Sequence, residues 1–346
     1  MPLTLITGAP GWLGKRLITV LLDGVPSLSG LKSKRRIRCL VMPGQQNSSF
    51  SSLDGVEIVE GDLRDPVSLK AFCRDSEGAT LFHCAGVIHP MRSSREFFEV
   101  NVNGTRHLLL EAEAARVRRI IVVSSNSAIG TNPRRGHLFD EKAPYNPYMN
   151  YGRSKMLMEQ VVNEFQTLGS LETVIIRPTW FYGPGHPKHL NTFFRMIRRG
   201  TVPIVGDGEN LRSMTYVDSL CQALLLCEKA PVANGQTYWV ADSRAYSMNE
   251  IVETIESLME SEFGLTVAHK RLRLPSLVSE MAWLADRVIQ SLGFYHQKIH
   301  VLSEINKNIA CSAAKAQREL GYDPEIDLVE GMRRSLAWCR SQGMEL

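Results

Sequence analysis

The chain has 346 residues, 44% of them apolar and 22% charged, and 40 Lys and Arg against 36 Asp and Glu give a net charge of +4. That size suits a globular protein with a large core and room for two domains, and so small a net charge excludes an electrostatic nucleic-acid binder. No run reaches the ~18 apolar residues of a membrane span.

Leu3 to Thr7 reads as a buried strand and Trp12 to Leu22 as an amphipathic helix, joined by Thr7-Gly8-Ala9-Pro10-Gly11-Trp12-Leu13-Gly14. A strand entering a helix leaves free N–H groups at the helix N-terminus, which attract a pyrophosphate together with the helix dipole. Gly8 would let the chain turn, Gly11 let the backbone approach the phosphates and Gly14 let helix and strand pack. Further strand-like runs are Ile37 to Val41, Val56 to Glu60, Thr80 to Cys84, Ile120 to Ser124 and Thr173 to Arg177. Helix patterns such as Phe97 to Ala115 and Tyr151 to Leu168 alternate with them. This alternation predicts an α/β fold with a doubly wound parallel sheet.

After Pro178 the pattern loosens. Residues 1–178 are expected to form a dinucleotide-binding domain and 179–346 a smaller mixed α/β substrate lobe, with about 212–230 returning to the first domain. Asn249 to Glu260 and Leu328 to Ser341 read as helices. The apolar stretch from Leu274 to Leu292 reads first as core, then as a substrate cover or a membrane-surface contact. The basic runs Lys32 to Arg36 and Arg116 to Arg119 read as solvated helix ends. The seven cysteines are an odd, scattered set without disulfide-framework or zinc spacing, so reduced thiols, no metal and a cytoplasmic location are expected.

Tyr151-Gly152-Arg153-Ser154-Lys155 puts a phenol and an ammonium on one helix face. Upstream, Ile120 to Val123 runs into Ser124-Ser125-Asn126-Ser127, placing hydroxyls at the C-terminal end of a strand, where open α/β sheets bind ligands. A tyrosine titrates near pH ~10 in water, and a neighbouring cation lowers that value. A serine can then hold a substrate oxygen while the tyrosine moves its proton and hydride moves at the same carbon.

These residues resemble the extended short-chain dehydrogenase/reductase superfamily, which includes nucleotide-sugar epimerases and 3β-hydroxysteroid dehydrogenases. The resemblance runs from Thr7 to about Trp338 and implies a Rossmann domain. It implies Ser125, Tyr151 and Lys155 as catalytic residues, with Lys155 holding the nicotinamide ribose and lowering the tyrosine pKa. Gly8, Gly11, Trp12, Leu13, Gly14, Asp62, Leu63, Cys84, Ala85, Gly86, Asn101, Pro178 and Tyr182 would line the cofactor beside Tyr151 and Lys155. His89, Ser127, Trp180, Asn191 and Arg212 would meet the substrate, and a homodimer is expected.

NAD and NADP stay equally open. The second strand ends in Cys39-Leu40-Val41-Met42-Pro43-Gly44, with neither the acid of NAD sites nor an arginine, although Lys15, Arg16 or Arg38 could reach a 2′-phosphate. Pro203 to Gly208 followed by Arg212 to Asp218 is similar to the diphosphate-cradling segment of the epimerases, so a nucleotide sugar is the first expectation for the substrate. A 3β-hydroxysteroid-like or β-hydroxyketone dehydrogenase on an apolar substrate is the alternative, supported by Leu274 to Leu292. A silent NAD(P)-binding regulator is a third reading, which retention of both Tyr151 and Lys155 disfavours. Asn126-Ser127 stands where 4,6-dehydratases carry Asp-Glu, which leaves oxidoreduction or epimerisation.

Overall fold

The computed structural model describes residues 2–25, 30, 32, 35–45, 53–91, 93–169 and 171–346, without the side chains of 188 and 189. Ser33 and Lys34 of the first basic run lie outside the described residues. The first half runs β1 (Leu3–Thr7), α1 (Trp12–Leu22), β2 (Arg36–Val41), β3 (Val56–Glu60), α2 (Pro66–Cys73), β4 (Thr80–His83), α3 (Glu96–Phe98), α4 (Thr105–Ala114), β5 (Arg119–Val123), α5 (Met149–Leu168) and β6 (Glu172–Pro178). The second runs β7 (Trp180–Tyr182), α6 (Lys188–Arg198), β8 (Pro203–Val205), β9 (Leu211–Tyr216), α7 (Val217–Lys229), β10 (Gln236–Val240), β11 (Ala245–Ser247), α8 (Met248–Ser261), β12 (Leu272–Leu274), α9 (Ser276–Ser291), α10 (Gln297–Glu304), α11 (Ala314–Leu320) and α12 (Leu328–Ser341).

The main sheet has seven parallel strands in the order β10-β6-β5-β4-β1-β2-β3. Its central strands are apolar on both sides because helices cover both faces. Every residue of β5 is buried. On one face Leu17, Leu21, Leu220, Leu224 and Ala316 bring α1, α7 and α11 into one core. On the other, Leu69, Leu108, Met158 and Val162 do the same for α2, α4 and α5. The strand order reverses between β1 and β4, and open α/β sheets bind ligands outside the C-terminal ends of the strands at such a point.

The lobe holds a three-stranded sheet, β11-β9-β7, and a parallel pair, β12-β8. Its core gathers Phe194, Met214, Tyr216, Ile255 and Leu336 from β9, α6, α8 and α12. The segment 217–240 rejoins the main sheet, since α7 packs beneath it and β10 extends it beside β6. Two α-helical stretches, α3 and α4, are joined by a π-helical turn over Glu99–Gly104.

Two expectations change. The basic runs are not simply solvated: Arg35 is buried against Glu228 at 2.8 Å, and Arg119 is 2% exposed with Glu172 at 2.6 Å. The 274–292 stretch is not core either. Leu277, Met281, Leu284, Val288 and Leu292 of this stretch are all exposed.

Candidate active site

Gly8 has φ +73°, a left-handed backbone that glycine adopts without strain. A Cβ there would stand 2.6 Å from the Ala85 backbone nitrogen, and one on Gly14 would stand 2.3 Å from the Gly8 carbonyl oxygen. The turn therefore lies tight against β4 and α1. Gly11 caps α1 without a side-chain hydrogen bond, and no acid sits in the first turn. The leading N–H groups of α1 thus have no side-chain cap competing for them, which suits an anion. Trp12 donates Nε1–H to the Pro184 carbonyl at 2.7 Å and lies 4.7 Å from the Phe181 ring, linking the turn to the lobe. Leu13 is buried in the core. This cradle fits a dinucleotide.

Beneath it, His83 bridges Thr7 Oγ1 at 2.7 Å and Thr105 Oγ1 at 2.9 Å. Burial, and the nearby Lys155 charge, push its pKa down to about 3, so the ring is neutral and ties β1 and β4 to α4. Cys84 and Ala85 close against Gly8. A Cβ on Gly86 would meet Asn101 Oδ1 at 3.2 Å and Lys155 Nζ at 3.3 Å, so both side chains lie close over this glycine. Asn101, held in the π turn, accepts from Val87 N at 2.8 Å and donates to Ser154 Oγ at 3.0 Å. Such turns are frequent at functional sites.

Tyr151 and Lys155 occupy the first turns of α5, and Ser125 follows β5 as the N-cap of a 3₁₀ turn, Asn126–Ala128. Burial pushes the Tyr151 phenol up to about 12, hydrogen bonding to Ser125 draws it down, and Glu304 raises it. The phenol is therefore protonated at neutral pH. The sequence expectation had Lys155 lowering this value, but the lysine Nζ is directed to the Val123 carbonyl at 3.0 Å. Burial lowers the Lys155 pKa to about 8, against the raising influence of Glu159 and Cys84. Ser127 Oγ accepts from Ser125 Oγ at 3.3 Å.

One turn beyond Lys155, the fully buried Glu159 pairs with Arg177 at 2.6 Å and accepts from Ser124 Oγ at 2.5 Å and Tyr145 Oη at 2.9 Å. This network fixes α5 to β5 and β6. The sequence reading missed Glu159, although it shares a helix face with Tyr151 and Lys155. It also missed Gly152, where a Cβ would lie 2.3 Å from the Ser127 carbonyl oxygen. Only glycine lets α5 approach the serine turn this closely, and Tyr151-Gly152 was the available signal.

Asp62 follows β3 and bonds Arg64, which lowers its pKa. Leu63 is buried against Gly104. Of the three cations expected near a 2′-phosphate, Arg16 is paired with Asp218 at 2.5 Å. Arg38 is buried against Glu57 and the Phe72 carbonyl. Lys15 alone is exposed.

Pro178 pairs with Val240 at the end of β6. Tyr182, expected beside the cofactor, is instead fully buried in the lobe core and donates to Asp242 at 2.8 Å. Trp180 stacks edge-on against Phe193, 5.7 Å between centroids. Asn191 donates to the Glu345 carbonyl at 3.1 Å. Arg212 is buried, with Nη1 at 3.4 Å from Glu304 Oε1 and Nη2 donating to the Glu304 backbone carbonyl.

The α9–α10 hairpin, whose first helix lies in the stretch offered from the sequence as core, substrate cover or membrane contact, packs over the residues that precede Tyr151. Gln290 accepts from Asn150 N at 3.0 Å, and Tyr148 Oη donates to the Ser303 carbonyl at 3.0 Å. Tyr295 hydrogen-bonds His89 Nδ1 at 2.8 Å and packs edge-on against Phe97, which lies 5.8 Å from the Tyr151 ring. All seven cysteines are free, and burial raises every one of their pKa values.

Residues 4–241 match the NAD dependent epimerase/dehydratase family. The chain is 46% identical over 344 residues to the uncharacterized protein y4nL of Sinorhizobium fredii, covering 99% of this chain and 96% of that one. It is 29% identical over 359 residues to sterol demethylase protein B of Methylococcus capsulatus, covering 99% of each. The dTDP-glucose 4,6-dehydratase DesIV of Streptomyces venezuelae, solved with NAD and TYD bound, superposes with a TM-score of 0.77 at 22% identity, covering 99% of each chain.

Proposed function

The chain belongs to the NAD dependent epimerase/dehydratase family as an extended short-chain dehydrogenase/reductase working with NAD or NADP, and from that premise we propose that it interconverts a secondary alcohol and a ketone on an apolar, uncharged substrate. Ser125 holds the substrate oxygen. Tyr151 Oη gives its proton to a ketone oxygen in reduction, the direction its high pKa favours at neutral pH. In oxidation the phenolate takes the hydroxyl proton. When bound, the nicotinamide supplies or accepts the hydride at the same carbon, and in its oxidised form it adds a positive charge that lowers the phenol pKa. Lys155 and Asn101 flank the space over Gly86 and would hold the ribose side of the cofactor.

The observation that carries the substrate class is the Arg212–Glu304 pair. An arginine already matched by a carboxylate offers little net charge to a diphosphate. The sterol-linked relative points to the same class. To test this, we would incubate the purified protein with NAD or NADP and either hydrophobic hydroxysteroids and ketones or a panel of sugar nucleotides. Hydride transfer confined to the first group supports the proposal, and turnover of a sugar nucleotide alone overturns it.

A second reading, epimerisation of a nucleotide sugar, keeps support from two features. Arg212 Nε and Asn191 Oδ1 are buried without hydrogen-bond partners among the described residues, leaving each open to a ligand atom. The fold likeness to the dTDP-glucose dehydratase leans the same way.

A further inference from the structure

Helix α9 is built with its polarity reversed. Its buried residues are Ser279, Ala282, Asp286 and Gln290. Ser279 donates to Asn306 Oδ1 at 2.7 Å, Asp286 bonds His300 at 2.8 Å, and Gln290 donates to Asp286 at 2.9 Å. The outward face carries Leu277, Met281, Leu284 and Val288 at helical spacing, each more than half exposed, and continues through Leu292 and Phe294. A surface helix in water places its apolar stripe inward. Ile88 and Met91, on the loop bonded to this hairpin through His89 and Tyr295, extend the exposed apolar surface.

The exposed charge around the stripe is net positive. Over residues 270–307 the exposed Lys and Arg residues are Lys270, Arg273, Arg287 and Lys298, and the one exposed acid, Glu280, is paired with Lys307. Half-buried Trp283 lies 5.4 Å from the Arg287 guanidinium, an aromatic–cation pair suited to a headgroup boundary. Among the described residues no helix is long and apolar enough to cross a membrane.

We propose that this face seats α9 in the surface of a bilayer containing anionic lipid, and that the apolar substrate reaches Tyr151 from that bilayer. The second half rests on the proposed function, and the first does not. Apolar side chains enter the headgroup boundary while the cations meet anionic headgroups. A second copy of the chain would bring like charges together and is disfavoured. The hairpin whose outer face meets lipid is the one whose inner face contacts Tyr148 and Asn150, so docking site and catalytic pair lie on opposite sides of one layer.

Co-sedimentation of the full chain, without cofactor or substrate, with phosphatidylcholine vesicles containing phosphatidylglycerol tests the docking. The protein is expected to sediment with them, to release in high salt, and to bind pure phosphatidylcholine more weakly. The double variant Met281→Glu/Leu284→Glu should lose binding while keeping its circular dichroism and cofactor affinity. Arg273→Gln/Arg287→Gln should weaken binding roughly fivefold for each cation removed. Sedimentation with neither vesicle, or equal binding by wild type and the glutamate variant, overturns the proposal. So does a wild-type dimer in light scattering that this variant converts to a monomer, which would assign the face to a second copy. Because binding is read without turnover, its failure is distinguishable from failure of the substrate assignment.

Discussion

Glu304 on α10 holds a carboxylate oxygen 3.4 Å from Arg212 Nη1 on β9 and also raises the pKa of the Tyr151 phenol. One carboxylate thus pairs with Arg212 and acts through its charge on the Tyr151 phenol, the group proposed to move the proton. Glu304→Gln removes a negative charge near the phenol, so the Tyr151 pKa falls. The acidic limb of the kcat/KM profile for alcohol oxidation, where the phenolate has to form, is expected to shift to lower pH. The freed arginine should also confer binding of a nucleoside diphosphate, read by calorimetry with UDP. An unmoved profile and no UDP binding would contradict both assignments.

Tyr151→Phe removes the hydroxyl proposed to carry the substrate proton but keeps the ring against Phe97. Turnover is expected to fall about 10²–10⁴-fold, with the affinity for NAD or NADP unchanged by fluorescence titration. Retained turnover would remove Tyr151 from the mechanism.

Lys155 titrates at about 8 in the folded chain, below the ordinary 10.5. Below pH 8 it is charged in both folded and unfolded states, and the fold bears the cost of burying that charge. Between about 8 and 10.5 the folded state releases its proton first, so this contribution makes stability rise with pH. Lys155→Met is therefore expected to be more stable at neutral pH, by on the order of 1–3 kcal/mol, with the advantage shrinking above pH 8 and turnover lost. Denaturant midpoints measured at a series of pH values check the sign.

Glu159→Gln leaves the Arg177 guanidinium buried without its carboxylate. Breaking a buried pair from one side costs about 3–5 kcal/mol, so the melting temperature should drop clearly. Restoring a matched pair with Glu159→Leu/Arg177→Leu should recover part of the loss.

Gly14→Ala places a methyl 2.3 Å from the Gly8 carbonyl oxygen. The turn has to open, and dinucleotide affinity measured by calorimetry should fall by at least an order of magnitude while the circular dichroism stays close to wild type.

The strands with apolar residues on both faces were legible in the sequence. Leu3–Thr7 stands where expected, and Arg119–Val123 is displaced by one residue. So were the glycine turn and the helix bearing Tyr151, because close backbone approach and helical spacing leave direct traces. β10 was not read, since Gln236-Thr237-Tyr238-Trp239-Val240 follows the loosened pattern after Pro178 and pairs with β6 across more than fifty intervening residues. The partners of Arg212 were not legible, because Glu304 lies 92 residues away. The stripe of α9 was visible, but periodicity gives a face without saying which side meets solvent, and only the buried Asp286 and Gln290 decide that.

The seven sulfurs give the molecule a chemical reporter of its own opening. With thiol pKa values pushed to about 12 or beyond by burial, almost no thiolate exists at neutral pH while the chain is folded. Alkylating reagents act on thiolates. Labelling by iodoacetamide is therefore slow in the native state and accelerates at each cysteine when its surroundings come apart. Cys339 on α12 and Cys221 on α7 sit in different cores, so their labelling rates, resolved by peptide mass, time the loosening of lobe and sheet separately.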